Sequence, residues 1–202
     1  MTPTVFRSIP PVRFPKSDDM AASIEHDQLP LPRIEGGARL LIVVAPYYRQ
    51  IADGLIAGAR GVAEAAGVAV DLVEVPGALE IPSAIALAAG RDLYDGYVAL
   101  GCVIRGETTH YDTVCNDSSR GLTLLGLQGH CIGNGILTVE NYQQAEVRAD
   151  PQGQNKGGGA AAAAVHLIAL KRGWETRAPR DKATPPRDVI RLAGEIDGPG
   201  SA

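Results

Sequence analysis

A four-stranded parallel sheet packed between helices is the α/β fold this sequence predicts, and three observations predict it. Short runs rich in β-branched residues alternate with longer, alanine-rich segments of helical period, the pattern of successive βα units. Six of the 14 prolines precede residue 38 and four follow residue 175, so regular structure is concentrated in one domain, 38–174. Within it, apolar runs at 39–45, 68–74, 96–104 and 131–137 are each bounded by Gly, Pro or polar residues, as short buried strands are.

The remaining elements follow in order. After the first strand, Ile51, Leu55, Ala59 and Val62 recur at helical spacing, which predicts an amphipathic helix over 50–66 stopped by Gly67. Further helices are expected over 81–89, 112–127, 141–148 and 155–172, the last closed by basic residues and Gly173. The ends, 1–37 and 175–202, read as disordered tails. The first alternates Leu and Pro at 29–32; the second is dense in charge and broken by Pro179, Pro185 and Pro186, with room for one short helix over 188–193.

Composition narrows the partners. Hydrophobic residues are 45% of the 202, enough for one ordinary core, but aromatics are only 4%. Alanine buries little area per side chain, so self-association is expected. A net charge of −4 leaves no broad basic surface, which argues against nucleic acid as a partner. Neither end carries a basic segment followed by a long apolar one, and no apolar run approaches the roughly 18 residues of a membrane span. No membrane partner and a cytoplasmic location are therefore expected. Cys102, Cys115 and Cys131 are odd in number and lack CxxC spacing, which disfavours both a disulfide framework and a zinc site.

In an open parallel sheet, ligands gather where strand carboxyl ends meet helix N-termini. Three unusual segments fall there: Ala45-Pro46-Tyr47-Tyr48, VPGALEIP at 75–82, and RGETTHYD at 105–112. Pro76 and Pro82 stiffen the second, leaving the amides of Ala78, Leu79 and Glu80 to meet a polyhydroxyl ligand; a rigid strand-to-helix turn explains the same residues. In the third, Gly106 allows close approach and the amides of Glu107, Thr108 and Thr109 suit a small phosphate, while Thr109 to Asp112 also reads as a capping box. His110 can exchange a proton near neutral pH, although a lone histidine is often structural. Arg148 and Lys156 flank the glycine-rich start of the last helix, either as an anion corner or as ordinary terminal and surface charges. Tyr47 offers a ring for stacking, or packs on the sheet edge.

Together, VPGALEIP, GCVIRGETTHYDTVCNDSSRGL (101–122), NGILTVEN (134–141) and QNKGG (154–158) resemble the lumazine synthase family in order and spacing, over about 39–173. The resemblance implies a flavodoxin-like three-layer subunit in a homo-oligomer, a pentamer or a shell of twelve pentamers, with active sites between neighbours. It implies condensation of a ribitylaminouracil with dihydroxybutanone phosphate to a lumazine in riboflavin biosynthesis, without metal or redox cofactor. The partners are then the two small-molecule substrates and, downstream, riboflavin synthase.

By the family pattern, Tyr47 stacks on the pyrimidine, Ala78, Leu79 and Glu80 hold the ribityl chain, and Cys102, Val103 and Ile104 line the pyrimidine pocket. Lys156 contacts the pyrimidine, and Asn134 reaches it across the subunit interface. Glu107, Thr108 and Arg148 hold the phosphate, His110 transfers protons, and Arg105 supports the loop. Leu79 and Asn134 stand where many members carry Phe, and Tyr48 where Asn is commoner. Two other readings compete: a flavin-binding shell or carrier protein with weak catalysis, and a generic phosphate-binding α/β domain. The second lacks both GxGxxG after the first strand and GxxxxGK[ST].

Overall fold

A computed structural model describes residues 29–176, in which strands and helices alternate as far as the last strand and two helices follow it. They are β1 (Arg39–Val44), α1 (Arg49–Ala65), β2 (Ala69–Glu74), α2 (Glu80–Ala89), β3 (Gly96–Ile104), α3 (His110–Leu127), β4 (Cys131–Val139), α4 (Tyr142–Ala149) and α5 (Lys156–Glu175). The strands form one sheet in the order β2-β1-β3-β4, all neighbours parallel. Most of the two expected tails, and the short helix considered at 188–193, lie outside the described residues.

Strand alternation sends neighbouring residues to opposite faces. Leu40, Ile42, Val44, Val98 and Leu100 meet buried residues of α1, α4 and α5 on one side. Leu41, Val43, Tyr97 and Ala99 meet α2 and α3 on the other. The result is the three-layer α/β sandwich expected. Much of the first face is alanine: Ala52, Ala59, Ala63, Ala145, Ala149, Ala160, Ala161 and Ala164 are all buried there. Such small side chains let helices sit close. At Gly157 an added Cβ would run into the backbone carbonyl of Leu55, and at Gly133 into that of Ala160. Gly157 at the start of α5 therefore serves packing against α1, and Asn155, in a left-handed conformation (φ 46°), caps the helix by accepting from the Gly158 amide at 3.0 Å.

Packing extends N-terminally past residue 38. Ile34 is buried in the α1-side core and its amide donates to the Ala66 carbonyl at 3.0 Å. Arg172 of α5 then clasps this segment, donating to the carbonyls of Glu35 (3.0 Å) and Gly37 (2.7 Å) and to Asp95 Oδ1 (2.8 Å). Asp95 Oδ2 accepts from the Arg39 amide at 2.8 Å. Burial alone would raise the Asp95 carboxyl, yet the bonds from Arg39 and Arg172 hold it below its ordinary value. Arg172→Ala should lower stability by about 2 kcal/mol and Tm by about 6 °C at pH 7 in thermal unfolding. Because the folded-state pKa of Asp95 is depressed, its contribution is present above the ordinary value of 3.8 and fades as pH falls through the lower folded value. The deficit of the variant should shrink on acidification.

Candidate functional site

Where β1 and β3 diverge to opposite helices, their carboxyl ends leave the crevice that such a sheet order creates. A cavity of about 440 Å³ fills it, a size suited to one small organic ligand. Its walls are Ala45, Tyr47 and Tyr48 after β1, Pro76 to Glu80 after β2, Cys102 to Ile104 at the end of β3, and His110 and Val114 on α3.

Each wall has a local cause. Tyr47 is 76% exposed and held from behind by aromatics: its ring meets Tyr48 edge-on at 5.0 Å, and Tyr48 meets Tyr142 at 6.2 Å. Burial and then the neighbouring Tyr47 raise the Tyr48 phenol, which keeps it a hydrogen-bond donor beside the cavity. Arg49 donates to both carboxylate oxygens of Glu74, at 2.6 and 3.1 Å, tying the start of α1 to the end of β2 and so joining two of the walls. Those bonds hold the Glu74 carboxyl below the usual carboxylate range.

The loop amides are only partly as expected. Glu80 N donates to Gly77 O at 3.2 Å, so that amide is engaged in the turn, whereas those of Ala78 and Leu79 meet no backbone acceptor among the described residues. Likewise the amides of Glu107, Thr108 and Thr109 have no backbone acceptor among the described residues. The capping box at Thr109 does not form: Thr109 is already helical (φ −67°, ψ −3°), its side chain makes no cap bond, and Asp112 pairs with Arg105 at 3.3 Å. Glu107 and Thr108 are exposed on the loop between two lining residues and do not themselves line the cavity.

Burial pushes the Cys102 thiol up to about 11. Burial is also the leading cause of the raised thiol pKa at Cys115 and Cys131. With a pKa two units above the ordinary 9.0, Cys102 should react with iodoacetamide at pH 7.5 about 100-fold more slowly than a free thiol, as peptide mass spectrometry would show.

The remaining expected residues are elsewhere. Asn134, Arg148 and Lys156 line a second cavity of about 330 Å³ along β4 and α5, with Thr138, Gly135 and Ala163. Arg148 NH1 donates to the Gln144 carbonyl at 3.1 Å, and Asn134 Oδ1 accepts from the Ile136 amide at 3.0 Å, turned back on its own strand. Neither cavity shares a lining residue with the other. Within one chain, therefore, His110 and Tyr47 share one pocket and Arg148 and Lys156 another. Reading residues one by one missed Val114 and Thr138. Val114 is legible in the sequence, since it stands one helical turn after His110; Thr138 falls beyond the expected end of its strand.

Among the described residues no helix is long and apolar enough to cross a membrane, and no three His, Cys, Asp or Glu side chains cluster as metal ligands would.

The family model described as 6,7-dimethyl-8-ribityllumazine synthase matches residues 37–172. A protein of that name from Jannaschia sp. is 53% identical over 175 residues, 86% of this chain and 97% of the relative. Those of Novosphingobium aromaticivorans (55%, covering 68% of this chain and 99% of the relative) and Zymomonas mobilis (56%, covering 67% and 97%) bear the same name.

Proposed function

The chain belongs to the 6,7-dimethyl-8-ribityllumazine synthase family, and from that membership we propose how its two cavities divide the work of the family's reaction. The reaction condenses 5-amino-6-(D-ribitylamino)uracil with 3,4-dihydroxy-2-butanone 4-phosphate, giving 6,7-dimethyl-8-ribityllumazine, phosphate and two waters. The observation that carries the division is that the expected site residues, Glu107 and Thr108 apart, line two separate cavities, one holding His110 and the other Arg148. A complete site needs both, so the first cavity of one subunit faces the second cavity of its neighbour in a head-to-tail ring.

The uracil stacks on Tyr47 over the walls of Cys102, Val103 and Ile104, with its ribityl chain on the amides of Ala78 and Leu79 and beside Glu80. Lys156 and Asn134 of the neighbouring subunit complete the pyrimidine pocket. The phosphate of the butanone lies between the Glu107 and Thr108 loop and the neighbour's Arg148. The uracil's 5-amino nitrogen attacks the butanone carbonyl, and loss of water gives the imine. Elimination then breaks the C–O bond to phosphate, which leaves with the electron pair. Tautomerisation restores a carbonyl, the ribitylamino nitrogen closes the ring, and the second water departs. These steps are redox-neutral overall and need proton carriers. His110 moves the protons, contributing about 10²-fold, while the departing phosphate is stabilised by Arg148 and the loop amides. Holding both substrates in register supplies much of the remainder.

The ring that closes such sites is a pentamer, or twelve pentamers as a shell, working in the cytoplasm and passing its lumazine to riboflavin synthase. The test is direct: purified protein with both substrates should produce lumazine, followed by absorbance, well above a protein-free control. A rate equal to the control would refute the assignment.

A further inference from the structure

One guanidinium ties the ends of β3 and β4 to the start of α3. Arg105 Nε donates to both carboxylate oxygens of Glu140, at 2.9 and 3.1 Å, and NH1 donates to Asp112 Oδ1 at 3.3 Å. Its guanidinium carbon lies 4.0 Å from the centre of the Tyr111 ring, and its backbone amide donates to the Val139 carbonyl at 2.9 Å. Tyr111 and Asp112 directly follow His110, the first residue of α3. Glu140 in turn is held by the sheet and by α4: it follows the last residue of β4, and its amide donates to Gln144 Oε1 at 3.1 Å. Asn141 completes that anchor by accepting the Gln144 amide at 2.9 Å.

We propose that Glu140 is a positioning residue for proton transfer at His110, acting through Arg105. The proposal rests on the reading of His110 as the proton carrier. An arginine side chain on an exposed edge samples many rotamers unless both ends are held. Its contacts to Tyr111 and Asp112 lie on α3, so alone they would let the guanidinium move with that helix. The Glu140 carboxylate is the contact on the rigid side. It turns Arg105 into a strut between the sheet and the helix turn that aims the imidazole. A small misplacement of a catalytic group costs far more in rate than an exposed ion pair contributes to stability.

Glu140→Gln keeps the shape and removes the charge. The expected result is a kcat about 5- to 10-fold lower, with Tm within about 2 °C of wild type. KM for the butanone phosphate should stay within about 2-fold, because Arg148 is held by the Gln144 carbonyl and not by the Glu140 carboxylate. Glu140→Asp, which retains the charge, should recover part of the loss. In a His110→Ala background the same Glu140→Gln change should cost less than about 2-fold, since nothing remains to be aimed. An unchanged kcat in Glu140→Gln, or an equal loss with and without His110, overturns the role of Glu140 and leaves that of His110 standing. Full turnover in His110→Ala alone overturns both.

Discussion

Chains carrying His110→Ala and chains carrying Arg148→Ala, each about 10²-fold slower than wild type alone, should regain about a quarter of wild-type turnover when co-expressed. The number follows from geometry. His110 and Arg148 line different cavities of one chain, so if each site joins the first cavity of one subunit to the second cavity of the next, mixing can reunite intact halves. In a random one-to-one ring, about half the first cavities carry His110 and about half the facing second cavities carry Arg148, which leaves about a quarter of sites intact. Were both residues to serve the site of their own chain, every site in the mixture would lack one of them. Turnover would then stay at the level of the single variants, and the shared-site reading would fail. The single variants also separate the two roles. His110→Ala should leave ribitylaminouracil binding largely intact, while Arg148→Ala should raise KM for the butanone phosphate, measured by initial rates.

Gly157→Val is expected to abolish the folded subunit at 37 °C, or to lower Tm by more than about 10 °C. A Cβ there collides with the Leu55 carbonyl, which is helix backbone and cannot swing aside. Relief requires α5 to move off α1, and these two helices enclose Leu55, Ala59, Ala160 and Ala164, all at most 3% exposed. At the other end of the same helix, Gly173 has nothing within 4 Å of an added Cβ. Gly173→Ala should therefore be neutral or gain up to about 1 kcal/mol from helix propensity alone. Circular dichroism melts of the two variants would separate a packing glycine from an incidental one. A Gly157→Val chain that melts with the wild type would show that the contact between α1 and α5 yields freely.

The two extremes of legibility are β3 and the segment before β1. β3 is legible to its observed ends because it is buried on both faces, so it appears as a continuous apolar run between Gly96 and the polar loop. The sequence pattern of β4 stops two residues short, at Leu137: the alternating Thr138 and Val139 look like a loop until β3 pairs with them. Ile34 reads as part of a proline-rich tail, since nothing local shows that Ala66 and Arg172 hold its neighbourhood down. The observed start of α3 lies two residues before the expected one, because Thr109 has the chemistry of a cap, whereas in the fold Arg105 claims Asp112 first.

By itself the sequence determined the order of elements, the two-faced burial of the strands and the loops at which chemistry gathers. These depend on periodicity and on local backbone preference, which neighbouring residues encode. Only the tertiary structure decided which candidate residues meet. Strand order places β4 at the sheet edge, and Asn134, Arg148 and Lys156 line a cavity separate from the crevice holding His110, although family pattern joins them in one site. The Arg105–Glu140 strut spans 35 positions and depends on the parallel register of β3 with β4. Such contacts arise from long-range packing, and no local pattern in the chain records them.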